Sequence, residues 1–250
     1  MKTLKITLVL VCMLMIMPII SKAQNKIYLV HQDNVRPSMI GEYEKISKEF
    51  RDACEQYQPQ TSWITSMTSD FKFLFVTPME KFEDIAKRPF TDMAKQMGDK
   101  FGDMFDRFDA CYDSHTDYVV ILDEELTYMP NGIKQVQEGM DYRNYIYIYY
   151  TPENRKKIKE GMKAIKEMFS SKGSNSHYRV YRSGFGTSES YYLVTLSSKD
   201  EIDSAKRSKT NDDLLGPERF ETFDKVMKYA TRMEEYKGRM RPKLAYSPKK

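Results

Sequence analysis

Residues 144–150, Asn-Tyr-Ile-Tyr-Ile-Tyr-Tyr, are the stretch that decides the fold. Tyrosine and isoleucine alternate with a period of two, which predicts a β-strand with its tyrosines on one face. The period then changes, and apolar side chains recur at three- and four-residue steps from Ile158 to Phe169, which predicts an amphipathic helix ending near Gly173. A strand that leads directly into such a helix is half of a small α+β unit.

The same order of elements occurs in the first half of the chain. Ile27–His31 predicts a strand that aligns with Tyr145–Tyr149 at an offset of 118, and Leu74 aligns with Tyr192 at the same offset. An apolar helical stripe follows the first strand, then a predicted hairpin, a helix over residues 91–112 and a further strand. Each half therefore predicts the order β-α-β-β-α-β, with two helices on one face of an antiparallel sheet.

Duplicated units of this kind resemble the dimeric α/β-barrel superfamily, which includes antibiotic-biosynthesis monooxygenase-like domains. The resemblance rests on the element order and the duplication, and it covers nearly all of the chain after residue 23. It implies an α+β fold in which two antiparallel sheets form one barrel within the chain and the helices pack outside. The predicted bounds are a first ferredoxin-like repeat over residues 24–131, a linker over 132–142 and a second repeat over 143–250.

Residues 1–23 predict a secretory signal peptide. Lys2 and Lys5 precede an almost wholly apolar run, and a small-residue context for cleavage follows it. We expect cleavage near Ala23 and Gln24 and export to the periplasm or the cell exterior, with an uncleaved N-terminal anchor as the alternative. The apolar run is shorter than the ~20 residues of a spanning helix, so no membrane contact is expected after cleavage.

Loss of this segment would lower the formal net charge from +4 to +1, because three lysines leave with it. A nearly neutral chain without a concentrated basic face argues against nucleic acid as a partner. The two remaining cysteines, Cys54 and Cys111, lie on predicted helices. An oxidising compartment permits a disulfide between them, and two separate buried thiols are the alternative. The oligomeric state is not predicted.

Motifs that carry chemistry are absent from the sequence. There is no G-x-S-x-G elbow, no P-loop, no dinucleotide fingerprint and no H-E-x-x-H motif. The cysteines lack the spacing of metal ligands. No catalytic residue and no metal ligand is therefore predicted.

The candidate ligand site is the face that carries Tyr145, Tyr147 and Tyr149. Two isoleucines between them are the natural helix-facing pair, so the tyrosines should face the space between the two sheets. The offset of 118 places His31 on this face, and Trp63, the only tryptophan, is a further candidate for its wall. Clustered aromatic side chains suit a small aromatic or apolar ligand. The alternative is a packed interior, because eight-stranded barrels are just wide enough for side chains to fill.

Two classes of function follow. The first is a non-catalytic exported protein that binds a small molecule or a partner; it is favoured by the scarcity of titratable candidates for catalysis and is expected to carry no cofactor. The second is implied by the resemblance, which includes cofactor-independent monooxygenase-like enzymes. A haem-associated enzyme is a further alternative, because related barrels host haem. It is the weaker one, because none of the three histidines lies on a helix suited to axial ligation.

Overall fold

The computed structural model describes residues 26–249, and the predicted signal peptide with its cleavage site at Ala23 and Gln24 lies outside them. The elements of the first half are β1 (Ile27–Val35), α1 (Ile40–Tyr57), β2 (Ile64–Thr68), β3 (Lys72–Met79), α2 (Thr91–Met97), α3 (Asp99–Asp109) and β4 (Tyr112–Leu122). Those of the second half are β5 (Tyr142–Tyr149), α4 (Arg155–Ser171), β6 (Tyr178–Ser183), β7 (Tyr191–Ser198), α5 (Glu201–Leu215), α6 (Arg219–Met227) and β8 (Arg232–Met240). Within the described residues, every helix is too short or too polar to span a lipid bilayer.

The eight strands form one closed antiparallel barrel in the order β1-β3-β2-β8-β5-β7-β6-β4. Each half has the same internal order, β4-β1-β3-β2 and β8-β5-β7-β6, and the halves join where β2 pairs with β8 and β4 pairs with β6. The expected duplication of a ferredoxin-like unit, closed into a barrel within one chain, is confirmed. The exact bounds of the repeats and of the linker stay a prediction.

The helix predicted over residues 91–112 is two helices. Gly98 takes a positive φ of 59° and ends α2, and α3 begins at the next residue. A positive φ is inexpensive for glycine, which lacks a Cβ. A residue with this backbone conformation interrupts a right-handed α-helix, so the two helices are separate. The chain then enters β4 at Tyr112, earlier than the sequence pattern indicates.

The repeat offset in the central strands is 117, and the predicted offset of 118 is wrong by one residue. Val30 pairs with Val76 in the first half, and Tyr147 pairs with Leu193 in the second. All four side chains belong to the cluster inside the barrel, so Tyr147 corresponds to Val30 and not to Leu29. Since side chains alternate along a strand, a slip of one residue moves a side chain to the opposite face of the sheet.

Apolar side chains pack in layers on both faces of the barrel wall. Outside the barrel in the first half, α1 packs against β3 through Tyr43 and Phe73. In the second half, α4 packs against the sheet through a stripe that includes Ile158 and Phe169. Cys54 and Cys111 are free and buried in different clusters on the helix side. Within residues 26–249, Cys54 and Cys111 are thus separate thiols with no bridge between them.

Candidate functional site

Tyr145, Tyr147 and Tyr149 all belong to the cluster inside the barrel, on the face that the alternation in β5 indicates. The ring centroid of Tyr147 lies 5.1 Å from that of Tyr191 on β7 and 5.9 Å from that of Tyr236 on β8, both in edge-to-face geometry. The rings of Tyr147 and Tyr149 are nearly parallel at 6.1 Å. These separations are typical of favourable aromatic pairs. Three neighbouring strands therefore present one continuous aromatic surface to the barrel interior.

The tyrosines of this surface differ in their exposure to solvent. Tyr145 is 7 % exposed and Tyr191 is 6 % exposed, whereas Tyr147, Tyr149 and Tyr118 of β4 are half-buried. An interior side chain that retains accessible area borders space that water can enter. We call this space the tyrosine cleft, and its walls carry Tyr118, Tyr147, Tyr149, Tyr191 and Tyr236. Tyr145 and Tyr191 are therefore packed, whereas Tyr118, Tyr147 and Tyr149 keep part of their surface accessible.

An ion-pair network forms the rim of the tyrosine cleft. Glu234 on β8 accepts hydrogen bonds from the hydroxyls of Tyr149 (3.2 Å) and Tyr236 (3.1 Å), and Arg232 Nε lies 2.8 Å from the same carboxylate. The guanidinium of Arg232 also stacks 3.6 Å from the ring centre of Tyr149 and pairs with Glu189. The hydrogen bond from Arg232 outweighs burial and holds the pKa of Glu234 below its ordinary value. The rim carboxylate is therefore charged and already hydrogen-bonded.

The phenols of the cleft are poor bases and poor acids near neutral pH. Burial raises the pKa values of Tyr147 and Tyr118. Burial and the neighbouring charge of Glu234 raise the pKa of Tyr149 to about 12. Because all three phenols stay protonated, they can donate and accept hydrogen bonds but are not suited to abstract a proton.

The opposite end of the barrel is covered by the segment 133–140, between β4 and β5. Gln135 Nε2 donates to the Tyr28 hydroxyl at 3.0 Å, and the Tyr181 hydroxyl donates to Gln135 Oε1. The Tyr145 hydroxyl donates to Ser66 Oγ at 2.9 Å, which fixes the ring near this end. We call it the closed end of the barrel.

His31 lies on the helix side of the sheet, and the expectation that it shares the face of the tyrosines is wrong. His31 Nε2 lies 3.1 Å from Asp33 Oδ1, and Nδ1 lies 2.8 Å from Asp117 Oδ1. Asp33 in turn accepts a hydrogen bond from the hydroxyl of Tyr43 on α1. The expectation was wrong because it used an offset of 118. The observed offset of 117 puts the odd-numbered residues of β1 on the outer face.

Trp63 is also remote from the tyrosine cleft. Its Nε1 donates to the carbonyl oxygen of Leu244 at 2.9 Å, and its ring packs against Phe50 of α1 and against Tyr246. It thus belongs to the packed layer beneath α1. Of the five candidates from the sequence, the structure brings together only the three tyrosines. Sequence reasoning missed Tyr118, Tyr236 and Glu234, because their approach depends on strand pairing across the barrel.

The His31 cluster gives a pH-dependent prediction. Burial opposes the charged imidazole, but hydrogen bonds and charges of Asp33 and Asp117 outweigh it and raise the pKa of His31 to about 9. An unfolded histidine has a pKa of about 6.5. The stabilisation is therefore fully present below about pH 6.5 and is lost as the pH rises through about 9.

We accordingly expect His31→Gln to lower the free energy of unfolding more at about pH 6 than at about pH 10, the two sides of this window. Urea denaturation of the wild type and the variant at both pH values measures the difference. An equal loss at both pH values would contradict a charged His31 in the folded state.

Comparison by sequence finds no matching family model and no matching curated protein. Comparison of structures finds several matches over most of the chain. An anthrone oxidase-like protein is 13 % identical with a TM-score of 0.59, over 90 % of this chain and 94 % of that one. A candidate monooxygenase from Fusobacterium nucleatum is 12 % identical with a TM-score of 0.54, over 87 % and 93 %. A chlorite dismutase variant from Candidatus Nitrospira defluvii is 9 % identical with a TM-score of 0.53, over 87 % and 92 %.

The residues inside the barrel do not fit haem. Haem iron needs an axial ligand such as histidine, thiolate or tyrosinate. His31 is engaged by two carboxylates outside the barrel, and His177 packs against Tyr128 on the helix side. The raised pKa values of the cleft tyrosines oppose the phenolate form. Within residues 26–249, no group of three or more histidine, cysteine or carboxylate side chains is arranged to hold a metal ion.

Proposed function

We propose that this chain, which has the fold of the dimeric α/β-barrel superfamily, is a non-catalytic protein that binds a small aromatic or apolar molecule in the tyrosine cleft. The observation that carries the proposal is the half-buried state of Tyr147 and Tyr149 inside the barrel. Aromatic walls with a few polar tips are typical of small-molecule sites. The stacked and edge-on rings offer flat surfaces to an aromatic ligand.

The chemistry of the cleft favours binding over catalysis. Its phenols remain protonated near neutral pH. The charged carboxylate of Glu234 is paired with Arg232 and accepts hydrogen bonds from two tyrosines. A general base needs a free acceptor position with a pKa near the working pH. Neither the phenols nor this carboxylate meets both conditions, so the cleft is better suited to hold a ligand than to abstract a proton.

A cofactor-independent oxygenase is the second candidate, and Glu234 is the observation that favours it. This charged carboxylate borders the aromatic cleft, and a substrate such as anthrone could displace one of its tyrosine partners and lose a proton from its ring methylene to it. Such an enzyme would consume dioxygen when anthrone is added, and Glu234→Gln would abolish the consumption. We expect the wild-type protein to cause no dioxygen consumption beyond that measured with anthrone alone.

Export from the cytoplasm is part of the same proposal. Its support is the sequence of residues 1–23, with a basic start, an apolar run and small residues before Gln24. N-terminal sequencing of the mature protein tests it, and retention of the whole segment would contradict cleavage near Ala23.

We expect Tyr147→Ala to weaken binding of 2-naphthol, a neutral aromatic probe, by about tenfold, equivalent to about 1.4 kcal/mol. The side chain forms the centre of the cleft and touches three other aromatic rings. Its partial exposure should limit the loss of folding stability to about 1–2 kcal/mol, below the range of about 3–5 kcal/mol for buried aromatic rings. Calorimetric titration measures the affinity, and urea denaturation measures the stability.

Tyr229→Ala is the matched control. Tyr229 is a half-buried surface residue whose ring lies 4.9 Å from Lys157 Nζ, outside the barrel, so binding should be unchanged. If Tyr147→Ala instead costs more than about 3 kcal/mol of stability and leaves the affinity unchanged, the face is packed core and the proposal is wrong.

A further inference from the structure

Two arginines are buried at the closed end of the barrel. Arg143 is 2 % exposed and Arg179 is 3 % exposed. Each precedes an interior tyrosine by two residues on its own strand, so strand alternation places both side chains on the interior face. Arg143 is opposite Ser197 of β7, and Arg179 is opposite Thr195 of the same strand. Arg143 and Arg179 therefore occupy neighbouring positions on the interior face, at the same end of the barrel.

Arg179 is hydrogen-bonded but not neutralised. Its Nε donates to Thr195 Oγ1 at 3.1 Å, and its Nη2 donates to Ser197 Oγ at 2.8 Å. Its Nη1 donates to the carbonyl oxygens of Lys134 (2.7 Å) and Gln135 (3.0 Å) in the covering segment. Every one of these acceptors is an uncharged oxygen. The positive charge of Arg179 has no counter-ion among these contacts.

Arg143 has an unused donor, and within the described part of the chain it forms no salt bridge, the nearby Asp141 acting on it only through its charge. Its Nη1 donates to the carbonyl oxygens of Tyr142 (3.1 Å) and Met140. Its Nη2 is buried and has no hydrogen-bond partner within residues 26–249. Burial and the nearby charge of Arg179 lower the pKa of Arg143 to about 10, so the side chain is still charged at neutral pH.

An isolated buried charge is expensive, and two adjacent charges of the same sign are more so. Proteins ordinarily relieve such a cost with a carboxylate, yet the contacts of Arg143 and Arg179 are all to neutral oxygens. A bound anion would supply both the missing charge and the missing acceptor. Guanidinium groups bind carboxylates and other oxyanions through paired N–H donors, which makes such groups the best match in charge and shape.

We propose that Arg143 and Arg179 bind the acidic group, a carboxylate or another oxyanion, of a ligand whose aromatic body lies among the barrel tyrosines. The inference rests on the proposed function and names its ligand class as aromatic acids. Four residues separate Arg143 from Tyr147, which is about 13 Å along an extended strand and matches the length of an acid with two or three fused rings. Tyr145 stands between them, and rotation of its ring away from Ser66 would join the arginines to the cleft.

The test compares two probes of equal shape, naphthalene-2-carboxylate and naphthalene-2-carboxamide, by calorimetric titration at neutral pH. We expect the wild type to bind the carboxylate at least about tenfold more tightly, because only the carboxylate neutralises the buried charges. Arg143→Met should lower this preference by at least about threefold, because one of the two guanidiniums that bind the carboxylate is lost. Arg88→Met is the matched control, since it removes the same charge from an exposed loop position and should keep the preference.

The outcomes separate this inference from the proposed function. If both probes bind the wild type equally, the tyrosine cleft stands and the acid site is overturned. If neither probe nor 2-naphthol binds, the proposed function itself has failed and the acid site fails with it. The comparison on the wild type needs no variant, so it decides the question even if Arg143→Met does not fold.

A second measurement distinguishes a ligand-binding arginine from a structural one. Without ligand, Arg143→Met should be at least as resistant to urea as the wild type, because it replaces an unpaired buried charge with an apolar side chain of similar length. A marked shift of the urea midpoint to lower concentration would show that Arg143 stabilises the fold, and it would overturn the proposal.

Discussion

Replacing Phe73 with alanine should lower the free energy of unfolding by about 3–5 kcal/mol, the range for buried aromatic side chains. Phe73 on β3 is fully buried, and its ring centroid lies 4.6 Å from that of Tyr43 on α1. The truncation would leave a cavity between the sheet and the helix, and a closed barrel wall cannot move outward to fill it. Urea denaturation followed by circular dichroism measures the loss.

Phe185→Ala is the control for this experiment. Phe185 lies between β6 and β7 and is 68 % exposed, so its removal should change stability by less than about 0.5 kcal/mol. A loss below about 1 kcal/mol for Phe73→Ala would contradict the burial of Phe73 between β3 and α1.

Replacing Gly161 with leucine should cost about 3 kcal/mol of stability, at the upper end for overpacked sites. A Cβ atom at Gly161 would lie 2.7 Å from the carbonyl oxygen of Lys225 and 2.8 Å from Cγ2 of Val226. Helices α4 and α6 therefore approach so closely that a side chain at this position would force them apart. The displacement would open the core between α4 and the sheet, and thermal and urea unfolding both report it.

Gly102→Leu is the matched control. Gly102 is an exposed helical residue of α3, and nothing lies within 4 Å of a Cβ built on it. Leucine is the better helix former by roughly 0.5–1 kcal/mol, so this variant should be slightly more stable than the wild type. A stabilising Gly161→Leu would mean that α4 and α6 do not touch at this point.

The order of the strands, the duplicated topology and the shared face of Tyr145, Tyr147 and Tyr149 follow from the amino-acid sequence alone. These are consequences of local periodicity, because a strand turns alternate side chains to opposite faces wherever it lies in the fold. The helical stripe of α4 is local in the same way. Its apolar residues at three- and four-residue steps are the ones that the structure buries.

Only the tertiary structure decided which face of β1 enters the barrel. The strand carries apolar residues on both faces, Tyr28 and Val30 inside and Ile27 and Leu29 outside. Because both faces are covered, alternation cannot distinguish an offset of 117 from one of 118. For this reason the offset of 118 wrongly placed His31 in the interior. The side chain lies on the outer face of the wall, together with its carboxylate partners.

The tertiary structure also decided what surrounds the tyrosines. Tyr118 and Glu234 approach them only through the pairing of β5 with β8 and the closure of the barrel through β4. Arg143 precedes Tyr145 by two residues on β5 and shares its interior face. Its lack of a carboxylate partner could not be read from the sequence, because contacts between distant strands depend on register, and register is fixed by packing of the whole barrel.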